Sequence, residues 1–332
     1  MKILRYISIT VLALAVVSAV SCKKDKDETD EKAYLNGSVS FDIPKYLYPG
    51  DVVHVVPTGV YKADEADTLL AVSWYNPLTL VTDTLRLEND PVSKSKEFDF
   101  EVTSNELKSY SLVVNMWADG YYIKSANVSF TVVDPALGTG SLKGYDFLSS
   151  VPSFTDSRDG LTYYYNNVAG KDWMIQNLGW RGAGESYEMA EAMDPIYGRY
   201  YTWEEASTAC PAGWHLPSDA DFKALAEAGG GSEISSAGKL MVDATFNGSK
   251  MWEFWPQVKI TNSTRFSAIP VGYMVNNGSS YSLKGLNKYA MFWASDASAD
   301  MASARYLYVD KTEFFAGEYG KDAIRASVRC VR

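Results

Sequence analysis

Two histidines, His54 and His215, and three cysteines, Cys22, Cys210 and Cys330, are all the imidazole and thiol in this 332-residue chain. They leave no room for a His/Cys zinc site of the usual spacing, and no metal or other cofactor is predicted. A Ser-His-Asp or Cys-His device would have to be built on one of two imidazoles. His54 alternates with Val53 and Val55 and reads as a strand residue facing solvent, not a ligand. His215 has no nucleophile beside it in sequence; a hydrogen-bonded packing role is expected, with general-base chemistry as the alternative. Two acid pairs, Glu204/Glu205 and Asp219/Asp221, could be read as carboxylates for glycoside hydrolysis. Each falls in the first turn of an expected helix, where the dipole favours negative charge, and helix capping on a solvated face is the simpler account. No catalytic residue is predicted.

Charge and composition set the frame for these side chains. The formal net charge of −10 argues against nucleic acid, which asks for clustered Lys and Arg. The chain is 46% hydrophobic and long enough for about two domains, each with its own core. Met1 to Val20 carries Lys2 and Arg5 and then a 14-residue apolar run from Ile7, too short to span a bilayer. Ala19-Val20-Ser21-Cys22 resembles a bacterial lipoprotein signal in the looser form found in Bacteroidetes. Residues 1–21 are thus expected as the signal peptide, Cys22 as the lipidated residue and 22–33 as a charged, disordered tether. An outer-membrane location facing the cell exterior follows, with the periplasmic face as the alternative. Asp67-Thr68-Leu69 and Asp83-Thr84-Leu85 resemble a Bacteroidetes O-glycosylation acceptor motif.

Residues 34–134 read as strands throughout. Short β-branched or aromatic runs at 39–43, 51–56, 70–74, 97–102, 110–117 and 127–133 are separated by Gly, Pro, Asn or Asp, and none keeps a helical period. About seven strands in 100 residues predict an all-β sandwich, and the closing hairpin resembles that of bacterial immunoglobulin-like modules. Tyr110 stands where a tyrosine corner could sit. A Gly/Pro-rich stretch, 135–144, is the expected linker.

The remainder, 145–332, changes character: seven of the nine tryptophans lie there, and so do the two convincing helices. Thr202 with Glu205 forms a capping-box pattern that starts a helix to about Ala209. Ser218 begins a second helix with Phe222, Leu225 and Ala226 on one face and Gly229 at its exit.

Three runs in this half carry a family resemblance: Trp173-Met-Ile-Gln-Asn177-Leu178, Gly198-Arg-Tyr-Tyr-Thr-Trp203 and Ala209-Cys-Pro-Ala-Gly-Trp-His-Leu-Pro-Ser-Asp219. With Phe266-Ser-Ala-Ile-Pro-Val-Gly-Tyr273, Phe292-Trp-Ala-Ser295 and Ser327-Val-Arg-Cys-Val-Arg332, they resemble the Fibrobacter succinogenes major paralogous domain. Arg265 stands where that family usually has Gly, and Ala294 where it often has Ser or Thr. The resemblance implies an α+β C-type lectin-like domain, in which Cys210 and Cys330 would pair and hold the chain ends together. With Cys22 lipidated, no thiol is then left as a nucleophile, and the chain is read as a non-enzyme.

In a lectin-like fold the region from Ala244 to Tyr289 corresponds to the long, variable part. Trp252, Trp255, Tyr273, Asn276, Asn277 and Tyr281 are its candidate ligand-binding residues, rings with a polar rim. Core is the favoured reading for Trp252 and Trp255, and a hairpin turn is the alternative for the Asn/Ser/Gly run at 276–280. The chain lacks the Glu-Pro-Asn and Trp-Asn-Asp runs of calcium-dependent lectins, leaving Asp296 as a lone cation candidate. The expectation is a surface-anchored lipoprotein binding a glycan or protein ligand. A structural component of an adhesive or envelope assembly, and an unrecognised hydrolase, are the alternatives.

Overall fold

The computed structural model describes residues 31–62, 71–85 and 97–332. The expected signal peptide, Cys22, most of the expected tether and Asp67-Thr68-Leu69 lie outside the described residues. What is described is predominantly β, arranged as several small sheets. Among the described residues no helix is long and apolar enough to cross a membrane.

In the N-terminal half a five-stranded sheet runs in the order Tyr46–Leu47, Lys124–Val132, Ser109–Trp117, Ala71–Asn76 and Val81–Leu85. Two antiparallel pairs complete it: Asn36–Ser40 with Thr58–Tyr61, and Val52–Val55 with Phe98–Glu101. Alternation explains the layering. Val53, Val55, Phe98 and Phe100 from the pairs, and Val72, Leu112, Val114 and Phe130 from the large sheet, enter one buried core. The Tyr110 hydroxyl donates to the Glu106 carbonyl four residues upstream at 3.3 Å. Thr84 sits exposed on the outer strand Val81–Leu85.

His54 faces solvent, as its alternation implied, and lies directly opposite Asp99 across the strand pair. Its Nδ1 is 2.9 Å from Asp99 and its Nε2 3.3 Å from Glu97. The hydrogen bond to Asp99 leads in raising its pKa. Being raised on folding, this group lends its small stabilisation below its unfolded pKa and loses it as pH rises through the folded value. An NMR titration should place the His54 imidazole above the ordinary value of about 6.5 and return it there in Asp99→Asn.

The stretch 135–144, expected as a linker, is built into the fold. Leu142–Lys143 pairs with Thr245–Phe246, and Val133, Leu142 and Tyr145 share a buried cluster with Ile175 and Val271. Gly144 is there for packing instead of flexibility. Its φ is +104°, and a Cβ would sit 2.7 Å from the Asp243 carbonyl oxygen. Further contacts tie the halves together: Lys45 and Tyr46 both reach Glu188, and Tyr48 donates to the Ala192 carbonyl.

The C-terminal half is α+β. A meander of Tyr289–Ala297, Met301–Tyr308 and Phe314–Gly320 packs one face on the helix Asp219–Ala228 through Phe222, Phe292, Leu307 and Phe314. A second sheet orders Tyr281–Lys284, Tyr273–Asn276 and Ile324–Arg325. Both expected helices are present, Trp203–Ala209 and Asp219–Ala228, each opened by a full capping box. Short helices Asp194–Tyr197 and Ala237–Leu240 carry too few turns to leave a periodic signal in sequence. Cys210 and Cys330 form a disulfide with their Cα atoms 5.8 Å apart.

Candidate functional site

The residues of the recurring sequence runs turn out to hold the fold together. Arg329 is completely buried, and its guanidinium is met by oxygens from two separate segments, 174–177 and 266–267. Nε donates to Asn177 Oδ1 at 2.7 Å, Nη1 to the carbonyls of Met174 (3.1 Å) and Phe266, and Nη2 to that of Ser267 (3.0 Å). Arg265 and Ser267 flank Phe266 at φ +55° and +57°, and these left-handed residues shape the turn whose carbonyls meet the guanidinium. The Arg265 side chain stacks over Phe147. Burial pulls the Arg329 pKa down to about 9, opposed by the nearby Tyr145, so the group is charged at neutral pH.

The neighbouring runs do the same kind of work. Asn177 donates to the Tyr197 carbonyl, Tyr200 to Val271, Tyr201 to Trp180, Trp203 to Ala294 and Trp293 to Tyr201. His215 is bonded through its backbone, exchanging hydrogen bonds with Val331 at 2.9 Å. Its imidazole is exposed, which corrects the expectation of a packed side chain: the strand-like pairing turns the Trp214 and Leu216 side chains inward and the ring between them outward.

The acids also have structural roles. Asp221 completes the cap with Ser218 and lies 2.6 Å from Lys171. Burial works against its charge, but Lys171 and Ser218 outweigh it and hold the carboxyl below the usual range. Asp219 binds Arg305 in a fork at 2.6 and 2.7 Å, where that guanidinium is only 3% exposed. It is therefore an ion-pair partner and not merely a solvated cap. Glu205 pairs with Arg325. Asp296, the lone cation candidate, instead accepts the backbone N–H of Asp219 at 2.6 Å, at the mouth of that helix. Among the described residues no three His, Cys, Asp or Glu side chains converge as a metal site.

The six expected ligand residues do not come together. Trp252 is 1% exposed, its indole donates to the Ala268 carbonyl, and it belongs to the main core. Trp255, 37% exposed, lines a shallow cavity of about 240 Å³ together with Trp252, Phe254 and Lys250. Asn276 and Asn277 shape the hairpin turn: Asn276 accepts from Gly278, and Asn277 N–H donates to Ser280. Tyr273 and Tyr281 share that hairpin but face opposite ways. Tyr281 is paired with Asn276, three residues along from Tyr273, so strand alternation puts the two rings on different faces. Tyr281 lies under Arg325 at 4.5 Å and donates to the Asp322 carbonyl.

Tyr273 instead joins an aromatic surface that adjacent positions in sequence do not reveal. Tyr289, Tyr306, Tyr308, Phe315 and Tyr319 occupy one face of the meander, and all are half-buried. Ring centroids lie 5.6 Å apart for Tyr273–Tyr289, 4.5 Å for Tyr289–Tyr308 and 4.9 Å for Tyr306–Phe315. Farther along the same face, Met291, Trp293, Ala302 and Ala304 are fully buried, so the platform is the open end of a core. Gly317, opposite Ala304, leaves room for the Tyr319 ring, which passes 2.9 Å from where a Cβ would stand. Burial leads in raising the phenol pKa values of Tyr289 and Tyr306 and pushes Tyr319 up to about 12. The hydroxyls of these three therefore remain neutral hydrogen-bonding groups at physiological pH.

The Fibrobacter succinogenes major domain model (Fib_succ_major) matches residues 167–332, half of the sequence. The chain belongs to that family. The match takes in Arg329, the disulfide and every platform residue, and starts later than residue 145, where the sequence resemblance begins. No curated protein matches the chain. Among solved structures, a superoxide reductase (neelaredoxin) from Ignicoccus hospitalis is similar over 29% of this chain and 80% of its own, at 14% identity and a TM-score of 0.23. A TM-score that low establishes no common fold with the Fib_succ_major chain.

Proposed function

We propose that this protein is a lipid-anchored surface protein whose C-terminal domain binds a glycan or protein ligand without transforming it. The tyrosine platform carries the proposal. Tyrosine brings large, rigid contact area with few rotors to freeze and a hydroxyl to orient a polar partner, a combination enriched in recognition surfaces. Five half-buried rings, Tyr273, Tyr289, Tyr306, Tyr308 and Phe315, touch one another in a continuous chain, and Tyr319 lies farther along the same face. Asp219, Asp221, Glu205 and Asp296 each have a structural partner, so these four acids lend the hydrolase reading no support.

The presentation fits the same reading. Two β layers around one core and the Tyr110 bond to upstream backbone support an immunoglobulin-like stalk. Two capped helices beside antiparallel sheets, with a disulfide joining the first helix region to the last residues, support a C-type lectin-like plan. The leader ending in Ser21-Cys22 supports lipid anchoring in the outer membrane, with the domain displayed outward.

Glycan arrays and pull-downs with the full chain test this. A ligand should be retained at micromolar concentration or below; a clean absence of any ligand on both would remove the reading. Co-purification of one envelope protein, with no free sugar bound, would favour the assembly-component alternative.

A further inference from the structure

Phe314–Gly320 is the outer strand of the three-stranded meander, and its pairing to Met301–Tyr308 runs unbroken from Leu307↔Phe314 to Met301↔Gly320. In such a strand every second N–H and C=O points away from the sheet. Among the described residues, no hydrogen bond reaches the outward backbone groups of Phe315 to Tyr319. Proteins usually block open edges with a lysine, a proline, a bulge or a covering segment. The run Phe-Phe-Ala-Gly-Glu-Tyr-Gly has no lysine, no proline and no bulge, and one charge; the turn Glu233–Ser235 packs against this strand but makes no backbone hydrogen bond to residues 315–319.

We infer that this edge pairs with the same edge of a second copy of the chain, antiparallel about a two-fold axis at Gly317. The register argues for self-pairing over a foreign strand. Centred on Gly317, Phe315 of each copy stands opposite Tyr319 of the other, giving two cross-strand aromatic pairs on the platform face. Ala316 then stands opposite Glu318 of the other copy, so the two carboxylates are offset. Moving the centre to Ala316 sets Phe315 against Gly317 and loses both aromatic pairs. Moving it to Glu318 sets the two carboxylates directly against each other, which is destabilising. One register therefore satisfies both faces, and the isologous contact closes as a dimer and not a fibre. It joins two platforms into one continuous surface on a six-stranded sheet. A single seam buries less than stable dimers do, so a Kd on the order of 10–100 µM is expected.

The inference goes beyond ligand binding and does not depend on it. Sedimentation velocity of the full chain in detergent, from about 5 to 500 µM, should show a reversible monomer–dimer equilibrium. Ala316 is exposed but stands opposite the buried Arg305, so the thermal melt of each variant is read beside its dimerisation. A316E puts a carboxylate opposite Glu318 of the other copy at two symmetric places and should weaken the dimer about tenfold. A316K should tighten it, and A316E with E318K should restore it. Glycan or protein capture by A316E should persist, which separates this outcome from the fate of the binding proposal. A chain that stays monomeric across the range, or a dimer indifferent to the charge series, would overturn the inference.

Discussion

Arg329→Met is expected to cost the C-terminal domain about 4 kcal/mol or more, a large part of what a domain of this size has. The guanidinium is wholly buried and its partners are neutral: three backbone carbonyls and the Asn177 amide oxygen. Methionine fills the volume but leaves those acceptors orphaned in an apolar setting beside Phe266 and Phe292, at about 1–3 kcal/mol each. Arg329→Lys keeps the charge yet cannot reproduce a planar fork bridging two segments with four acceptors, so it should fare little better. Denaturant unfolding checks both variants. Either one lying within about 1 kcal/mol of the parent would show that the guanidinium is not the keystone its bonding describes.

Breaking the Cys210–Cys330 bridge should produce the other large effect. The cysteines are 120 residues apart, so the bridge removes about 4–5 kcal/mol of unfolded-chain entropy in the loop-closure model. For a domain of this size that corresponds to a fall in Tm of roughly 10 °C or more. Thermal melts with and without reductant, and of the double Cys→Ala variant, should agree. Indifference to reductant together with an unchanged double variant would mean that packing around the buried Cys330 does the holding.

These two predictions rest on features that differ in how far sequence reveals them. Helix starts are local: Thr202 with Glu205 and Ser218 with Asp221 announce themselves three residues apart, and both helices fall where those pairs put them. The strands of the N-terminal half are legible for a similar reason, since alternation of two is visible within five residues. Strands Thr58–Tyr61 and Val81–Leu85 are less so, because a central glycine in one and polar residues in the other blur the alternation. The candidate site is the least legible. Tyr273 and Tyr281 look like partners in sequence, yet one is opposite Lys284 and the other opposite Asn276, which places them on different faces. The platform gathers Tyr289, Tyr306, Phe315 and Tyr319 from three strands, and only the register brings them together. The glycines of 135–144 show the converse hazard. Composition suggests a flexible joint, whereas Gly144 marks a close backbone approach.

Family motifs and function separate on this chain. The side chains of Asn177, Tyr200, Trp203 and Arg329 spend their hydrogen bonds on backbone carbonyls and on one another. Such residues keep the scaffold in register.

The most direct test compares two alanine substitutions in one binding assay, using whichever glycan or protein the full chain captures. Tyr306→Ala opens the centre of the platform, and Trp255→Ala removes the ring at the separate shallow cavity. The platform account predicts at least a tenfold loss of affinity for Tyr306→Ala and little change for Trp255→Ala, with both proteins folded. Retained binding in Tyr306→Ala, with binding lost in Trp255→Ala, would contradict it.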